Sequence, residues 1–384
     1  MRVIPPLAIT DAILTSSTAA EPGVGEATWA SGTTYGLGDT AILGSPSSTV
    51  TISIASPGVV TWSSHGLPDG TPVVLTTTGA LPTGLTASTI YYVVNYAAGT
   101  FQLSATVDGA PIVTTGSQSG THTAKAQVHR VYESQAASNT GHPPAIDDGT
   151  HWIDAGPTNR WAMLDLLRNT ATQQASPLTV VITPGQRVTA LGLVGLVADS
   201  VTVTITSGVS TVYSVTENLS TREVLTWSDY FFRAFTTAPS AAFFDLPPYI
   251  NAVITVTMTR TAGLVSCGGL VVGSYVYLGR TQYSAVSDVL NFSTVDRDSN
   301  GNSVLIPRRN IPKTTQQVWC DKSQVNQIRD VRTALNAAPA LWSGLDDSTQ
   351  PYFESLLILG YYRQFSISLD QPNDAIITLD LEEV

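Results

Sequence analysis

Asp296-Arg297-Asp298-Ser299-Asn300-Gly301 has the D-x-D-x-N-G opening of a calcium-binding loop. Such a loop takes a bidentate Glu at its twelfth position, and Pro307 stands there. Asn300-Gly301 fits the centre of a tight hairpin turn instead, where both residues need positive φ. The histidines His65, His122, His129, His142 and His151 lack H-x-x-x-H or Cys/His zinc spacing and read as loop and turn residues. No G-x-S-x-G elbow, P-loop or G-x-G-x-x-G is present. Asp147, Asp148 and Asp154 lie near Trp152, where paired carboxylates would serve sugar hydrolysis. A solvated acidic loop explains the same residues. The expectation is a non-enzymatic chain without metal or cofactor.

Aromatic residues are the stronger lead. Trp29, Tyr35, Tyr132 and Trp152 either present flat faces to a sugar or fill the core of a small module. Trp29, Tyr35 and Trp152 are the carbohydrate-binding candidates, although Tyr35, like Tyr132, leans towards core. Trp62 and His65 sit by a turn, as a contact for a partner or host surface if exposed and as core if buried. Trp161 follows Pro157-Thr158-Asn159-Arg160 and reads as a domain-junction anchor. Tyr230-Phe231-Phe232 and Phe243-Phe244-Asp245-Leu246-Pro247-Pro248-Tyr249 read as loops, at a core edge or a subunit interface. The acidic final strand around Leu379-Asp380-Leu381-Glu382 is an edge that would pair with a neighbouring chain.

The elements that position these residues are mostly strands. Thr, Val, Ile and Ser alternate, with Gly, Pro, Asn and Asp between them, as in residues 49–55, 91–95, 178–183, 201–206 and 253–259. Residues 264–278 read as two buried strands or one bent at Gly268-Gly269. Two segments read as helix. In residues 158–168, Trp161, Leu164 and Leu167 share a face. In residues 323–338, Val325, Ile328, Val331 and Leu335 do, with Ser323 or Asp321 as N-cap and Pro339 as the stop. Between residues 46 and 126 the only charges are Asp69, Asp108 and Lys125, and turn signals recur. That predicts a compact all-β module inserted into a host domain.

The chain has 384 residues, enough for two or three domains. Charged residues make up 12%, against about 25% in an average domain. The net charge is −11 and the basic residues are scattered, which argues against a nucleic-acid partner. Cys267 and Cys320 make no disulfide framework and read as buried thiols. Met1-Arg2-Val3-Ile4-Pro5-Pro6 does not open a signal peptide. No run of about 20 apolar residues predicts a membrane span.

Three stretches carry a resemblance. Residues 56–67, then Gly79-Ala80-Leu81-Pro82-Thr83-Gly84-Leu85, Tyr91-Tyr92-Val93-Val94-Asn95 and residues 114–122, resemble a small β-module inserted in tailed-bacteriophage virion proteins. The flanks, with Trp29, Tyr35-Gly36-Leu37-Gly38-Asp39, Tyr132, Pro143 and Trp152, resemble a chitin-binding-type carbohydrate module, here interrupted by the insert. Leu278-Gly279-Arg280-Thr281-Gln282-Tyr283, Arg308-Arg309-Asn310-Ile311-Pro312-Lys313, Ala338-Pro339-Ala340-Leu341-Trp342 and residues 357–365 resemble the C-terminal region of the same phage tail proteins.

The resemblance implies a structural tail component of the tip, baseplate or fibre connection. It would assemble in the bacterial host cytoplasm and reside in the virion. Its partners would be other phage tail proteins, further copies of itself in a symmetric homo-oligomer, and host cell-surface saccharide. A carbohydrate-binding adhesin and an envelope glycan hydrolase are the competing readings. The expected fold is mainly β and multi-domain. Residues 1–45 and 127–156 form the split module and 46–126 the insert. Residues 157–285 form a jelly-roll-like β-sandwich, and 286–384 an α+β domain with one helix.

Overall fold

The computed structural model describes residues 1–221, 225–297, 299–345, 350, 352–369 and 371–384. The fold is mainly β, in several sheets. It divides into two compact units, one of Ala20–Trp161 and one of Met1–Ala19 with Ala162–Val384.

In the Ala20–Trp161 unit, six strands close into a barrel. Their order is His122–Ala126, Ser47–Ile52, Val60–Thr61, Thr100–Ser104, Ile90–Ala97 and Pro72–Thr77, which pairs back to His122–Ala126. Alternation dictates the interior. Val50, Ile52, Val73, Leu75, Tyr91, Val93, Phe101 and Leu103 point inward, and Ala124 and Ala126 leave room for the larger rings. Closure pairs every edge, so a sequence with almost no charge still hides its backbone. Gly84, in the Leu81–Leu85 motif, has φ +108, and a Cβ there would collide with the Val113 carbonyl.

The flanks of the barrel meet across the insertion. Arg130–Ser134 pairs with Thr40–Leu43 on one side and with Trp152–Pro157 on the other. Asn139–Thr140 pairs with Thr34–Tyr35. Tyr35, Ala41, Leu43, Tyr132 and Trp152 form the core of this small sheet.

In the other unit, a five-stranded sheet runs Ser210–Asn218, Ser200–Ser207, Ala252–Thr259, Leu178–Ile182, Leu14–Ser17. Its period-two burial is strict: Val201, Val203, Ile205, Ile254, Val256 and Met258 are all fully buried. A three-stranded sheet of Ser240–Phe243, Ala190–Val194 and Gly269–Gly273 is buried throughout, as a layer covered on both faces must be. Residues 264–278 therefore do split at Gly268, with Leu264–Cys267 and Gly269–Gly273 in different sheets. A Cβ on Gly192 would collide with Leu341 of the C-terminal sheet, so glycine sets how closely the layers approach.

The C-terminal sheet runs Val276–Tyr277, Arg2–Ile4, Ala340–Ser343, Leu357–Ser368, Asp374–Glu383, Asn310–Asp321, Arg280–Thr281, and Val286–Asn291 also pairs with Asn310–Asp321. The Val325–Ala334 helix covers it through Val325, Ile328, Val331 and Leu335. Asp321 caps the 3-10 turn that leads in, accepting from Ser323 N at 2.8 Å. Cys267 and Cys320 are buried free thiols.

Several expectations need correction. Residues 1–19 do not belong with the split module. Their apolar Val3 and Ile4 are fully buried in the C-terminal sheet, and Leu14–Ser17 extends the five-stranded sheet. Residues 157–161 fall with the split module, and 162–285 share one compact unit with 286–384. Residues 158–168 hold only a 3-10 turn, Ala162–Leu164. Leu166 takes φ +63, and the Asp165 carboxylate accepts from Leu167 N and Thr170 Oγ1, which ends the helical path. The final strand is no edge: Asp374–Glu383 lies between two partners, with Ala375, Ile377, Leu379 and Leu381 fully buried. Tyr230-Phe231-Phe232 lies on the Trp227–Phe232 helix, whose start is fixed by a Thr226/Asp229 capping box.

Candidate functional site

The proposed sugar platform is the core of the small sheet. Trp152 is 2% exposed, its ring meets Tyr35 edge-on at 4.9 Å, and its Nε1 donates to the His142 carbonyl at 2.9 Å. Tyr35 is buried and its hydroxyl accepts from Ala30 N at 2.9 Å. Trp29 packs, half-buried, against the same cluster. Burial pushes the Tyr132 hydroxyl up to about 12, and the nearby Asp154 carboxylate adds to it. A ring with both faces covered offers none to a saccharide, so Tyr35 and Trp152 are structural. The interruption by the barrel makes these rings the main apolar mass of a sheet that has little else.

The acidic residues around Trp152 are occupied too. Asp147 accepts from the backbone N–H groups of Gly149, His151 and Trp152, and from His151 Nδ1 at 3.0 Å. Burial raises its pKa, but these hydrogen bonds outweigh burial and hold it below the usual range. Asp148 accepts from Thr150, and Asp154 pairs with Arg130. His142 and His151 stack at 3.6 Å. Hydrogen bonds hold Asp148 below the usual range as well, so neither it nor Asp147 is poised as a proton donor.

Trp62 and His65 are also internal. Both are 8% exposed and pack on Phe101 inside the barrel. His65 Nδ1 accepts from Leu67 N at 3.0 Å, so its proton sits on Nε2, which donates to the Ala97 carbonyl at 2.7 Å. The ring is a turn clamp and does not face a partner. Among the described residues, no group of three His, Cys, Asp or Glu could hold a metal ion. No helix there is long and apolar enough to cross a membrane. The turn at Asn300-Gly301 joins Thr294–Arg297 to Ser303–Ile306 as an antiparallel hairpin, with Gly301 at φ +83. Asp298 lies outside the described residues.

A cluster not expected from the sequence forms where the chain enters and leaves the barrel. The entry strand ends at Leu43 and runs through Gly44-Ser45-Pro46. The exit passes through Gln127, Val128 and His129. Both Val128 N and His129 N donate to the Gly44 carbonyl at 3.0 Å. His129 takes φ +53, a left-handed conformation for a non-glycine residue. Its Nδ1 lies 2.9 and 2.8 Å from the two Glu21 carboxylate oxygens, and its Nε2 lies 3.5 Å from Ser45 Oγ. Thr158 Oγ1 donates to Glu21 at 2.6 Å, and Trp161 stacks on the imidazole at 4.2 Å. Burial pushes the Glu21 carboxyl up, yet the hydrogen bonds from His129 and Thr158 prevail and lower it. Trp161, expected as a domain-junction anchor, packs here on the His129 ring. A cavity of about 390 Å³ adjoins the cluster, lined by Glu21, Ser45, Lys125 and Arg160 with Pro22 and Ile42.

In the larger unit, the notable surface is apolar. Leu225, Trp227, Tyr230, Phe231, Phe232 and Phe235 are all exposed, Trp227 at 80% and Phe232 at 84%, and no residue of the Trp227–Phe232 helix is buried. The Thr294–Ile306 hairpin likewise exposes Val295, Val304 and Leu305.

No family model matches the chain, and no curated protein does. Among solved structures it is similar to a GH78 family rhamnosidase of Bacillus sp. GL1, at 15% identity and a TM-score of 0.18. That alignment covers 65% of this chain and 32% of the rhamnosidase, so the chain spans about a third of that protein's length. A TM-score this low carries no argument about fold or activity.

Proposed function

We propose that this chain is a structural subunit of a bacteriophage tail, at the tip, baseplate or fibre connection, that assembles with copies of itself and with other tail proteins. The observation that supports it is the exposed aromatic helix Trp227–Phe232. A capping box fixes its backbone while its apolar side chains reach solvent, which is how a surface intended for a protein neighbour looks. The Thr294–Ile306 hairpin adds to this. A two-stranded ribbon is marginal in water by itself, and this one has no buried residue to hold it. The sequence resemblances supply the tail context. Burial of Tyr35 and Trp152 speaks against them as the sugar platform of an adhesin, and the local hydrogen bonds of Asp147, Asp148 and Asp154 speak against these three as the acid pair of a glycan hydrolase.

The test is immunogold electron microscopy, with antibody against this chain, on phage particles purified from a lysate of the source. Label confined to one end of the tail is the expected result. Particles free of label, both intact and partly disrupted, would overturn the proposal.

A further inference from the structure

We infer that Ser45, His129 and Glu21 form a nucleophilic relay able to cleave short-chain carboxylic esters at the barrel junction. This goes beyond the tail proposal and does not rest on it. The geometry has each part in its role. Glu21 can only accept at Nδ1, so the neutral imidazole carries its proton on Nδ1 and turns its Nε2 lone pair to Ser45 Oγ. The 3.5 Å separation is long for a hydrogen bond at rest and within the looser spacing of a nucleophile–base pair before substrate arrives. Thr158 fixes the carboxylate and Trp161 the plane of the ring. His129 is held at positive φ, and strain of that kind gathers where a side chain must be aimed.

The adjoining cavity supplies the rest. Ser45 is half-buried and lines it, so Oγ can be reached. Arg160 lines it too, and its guanidinium brings a fixed positive charge to the cavity wall that favours an oxyanion there. Pro22 and Ile42 offer an apolar wall to a short acyl group.

The steps balance without another reagent. Ser45 Oγ bonds to the ester carbonyl carbon while its proton passes to His129 Nε2, and the oxyanion faces Arg160. The carbon–oxygen bond to the alcohol then breaks, and the alcohol leaves with that proton. Water attacks the acyl carbon and gives a proton to His129 Nε2; the acyl carbon–Oγ bond then breaks, Ser45 Oγ takes that water-derived proton from His129, and the carboxylic acid departs.

The full chain is incubated with a fluorophosphonate–rhodamine probe, and the modified peptide is identified by mass spectrometry. Hydrolysis of p-nitrophenyl acetate is followed in parallel, and circular dichroism checks that each variant is folded. Label at Ser45 is expected in the wild type and its absence in Ser45→Ala. Glu21→Gln should lower kcat by roughly 10³-fold or more with KM little changed, because the wrong imidazole tautomer is then allowed. Folded wild type that stays unlabelled at Ser45 overturns the inference, with no variant needed. So does label or turnover that is equal in folded Glu21→Gln. Neither result bears on where gold particles fall on the tail.

Discussion

Replacing Trp227 and Phe232 together by Ser should dissolve self-association and leave the fold intact. The two rings are 80% and 84% exposed in the isolated chain, so they lend almost nothing to its stability. Surface changes of this kind alter stability by about 0.5 kcal/mol or less, plus a few tenths for the lower helix propensity of Ser. In an assembled interface the same rings would be anchors. Truncating an aromatic hot spot costs about 2–4 kcal/mol, which is roughly a 30- to 1,000-fold loss of affinity for each contact. Thr226 and Asp229 stay, so the helix start survives. The assay is light scattering coupled to size exclusion across a concentration series, with thermal melting of the same samples. The expected outcome is oligomer in the wild type, monomer in the variant, and melting temperatures within a few degrees. If the variant assembles as the wild type does, the aromatic helix is not the interface and the support for the assembly reading is gone. A large fall in stability would equally refute the premise that these rings meet only neighbours on their own short helix.

Other outcomes follow from the buried parts. Phe101→Ala should cost the barrel about 3–5 kcal/mol, since Phe101 is 1% exposed and carries both Trp62 and His65; urea unfolding followed by tryptophan fluorescence reads it. Glu21 has its folded pKa lowered, so its contribution is complete above the ordinary value of 4.5 and is lost as pH falls through the lower folded value. Stability of the wild type against pH should therefore drop below about pH 4.5 more steeply than that of Glu21→Gln. Burial holds the Cys267 thiol at about 12 and pushes the Cys320 thiol up as well, so neither should react with a thiol reagent at neutral pH until the chain is unfolded, when both should titrate.

The β character of residues 46–126 was legible because its signal is local, while closure into a barrel was not. A near-absence of charge, period-two alternation and closely spaced turns all fall within residues 46–126, and no distant partner is needed to read them. The Val325–Ala334 helix was legible for the same reason, since its apolar face, cap and stop lie within one short segment. The N-terminal strands were not. Val3 and Ile4 are apolar in any context, and only pairing with Ala340–Ser343 shows which sheet buries them. The aromatic helix was read as loop although Thr226 and Asp229 have capping-box spacing, because its apolar residues show no buried stripe. That missing stripe is the same property that now marks it as a surface for something else.

The candidate site divides along the same line. A sugar platform and a small core use the same residues at the same spacing, because both need flat apolar rings, and only burial separates them. Trp152, at 2% exposure, falls on the core side. The junction cluster presents the opposite problem. Ser45 and His129 stand 84 residues apart and Glu21 stands 108 from His129, so no motif joins them. Insertion of the barrel is what joins them: a closed barrel returns its exit beside its entry, and Gly44 binds the two crossings together. A positive φ at His129 then turns the imidazole between an acid and a hydroxyl. Sequence composition announces the insertion and is silent about its consequence, because the chemistry lies in the meeting of two strand ends that the insertion separates along the chain.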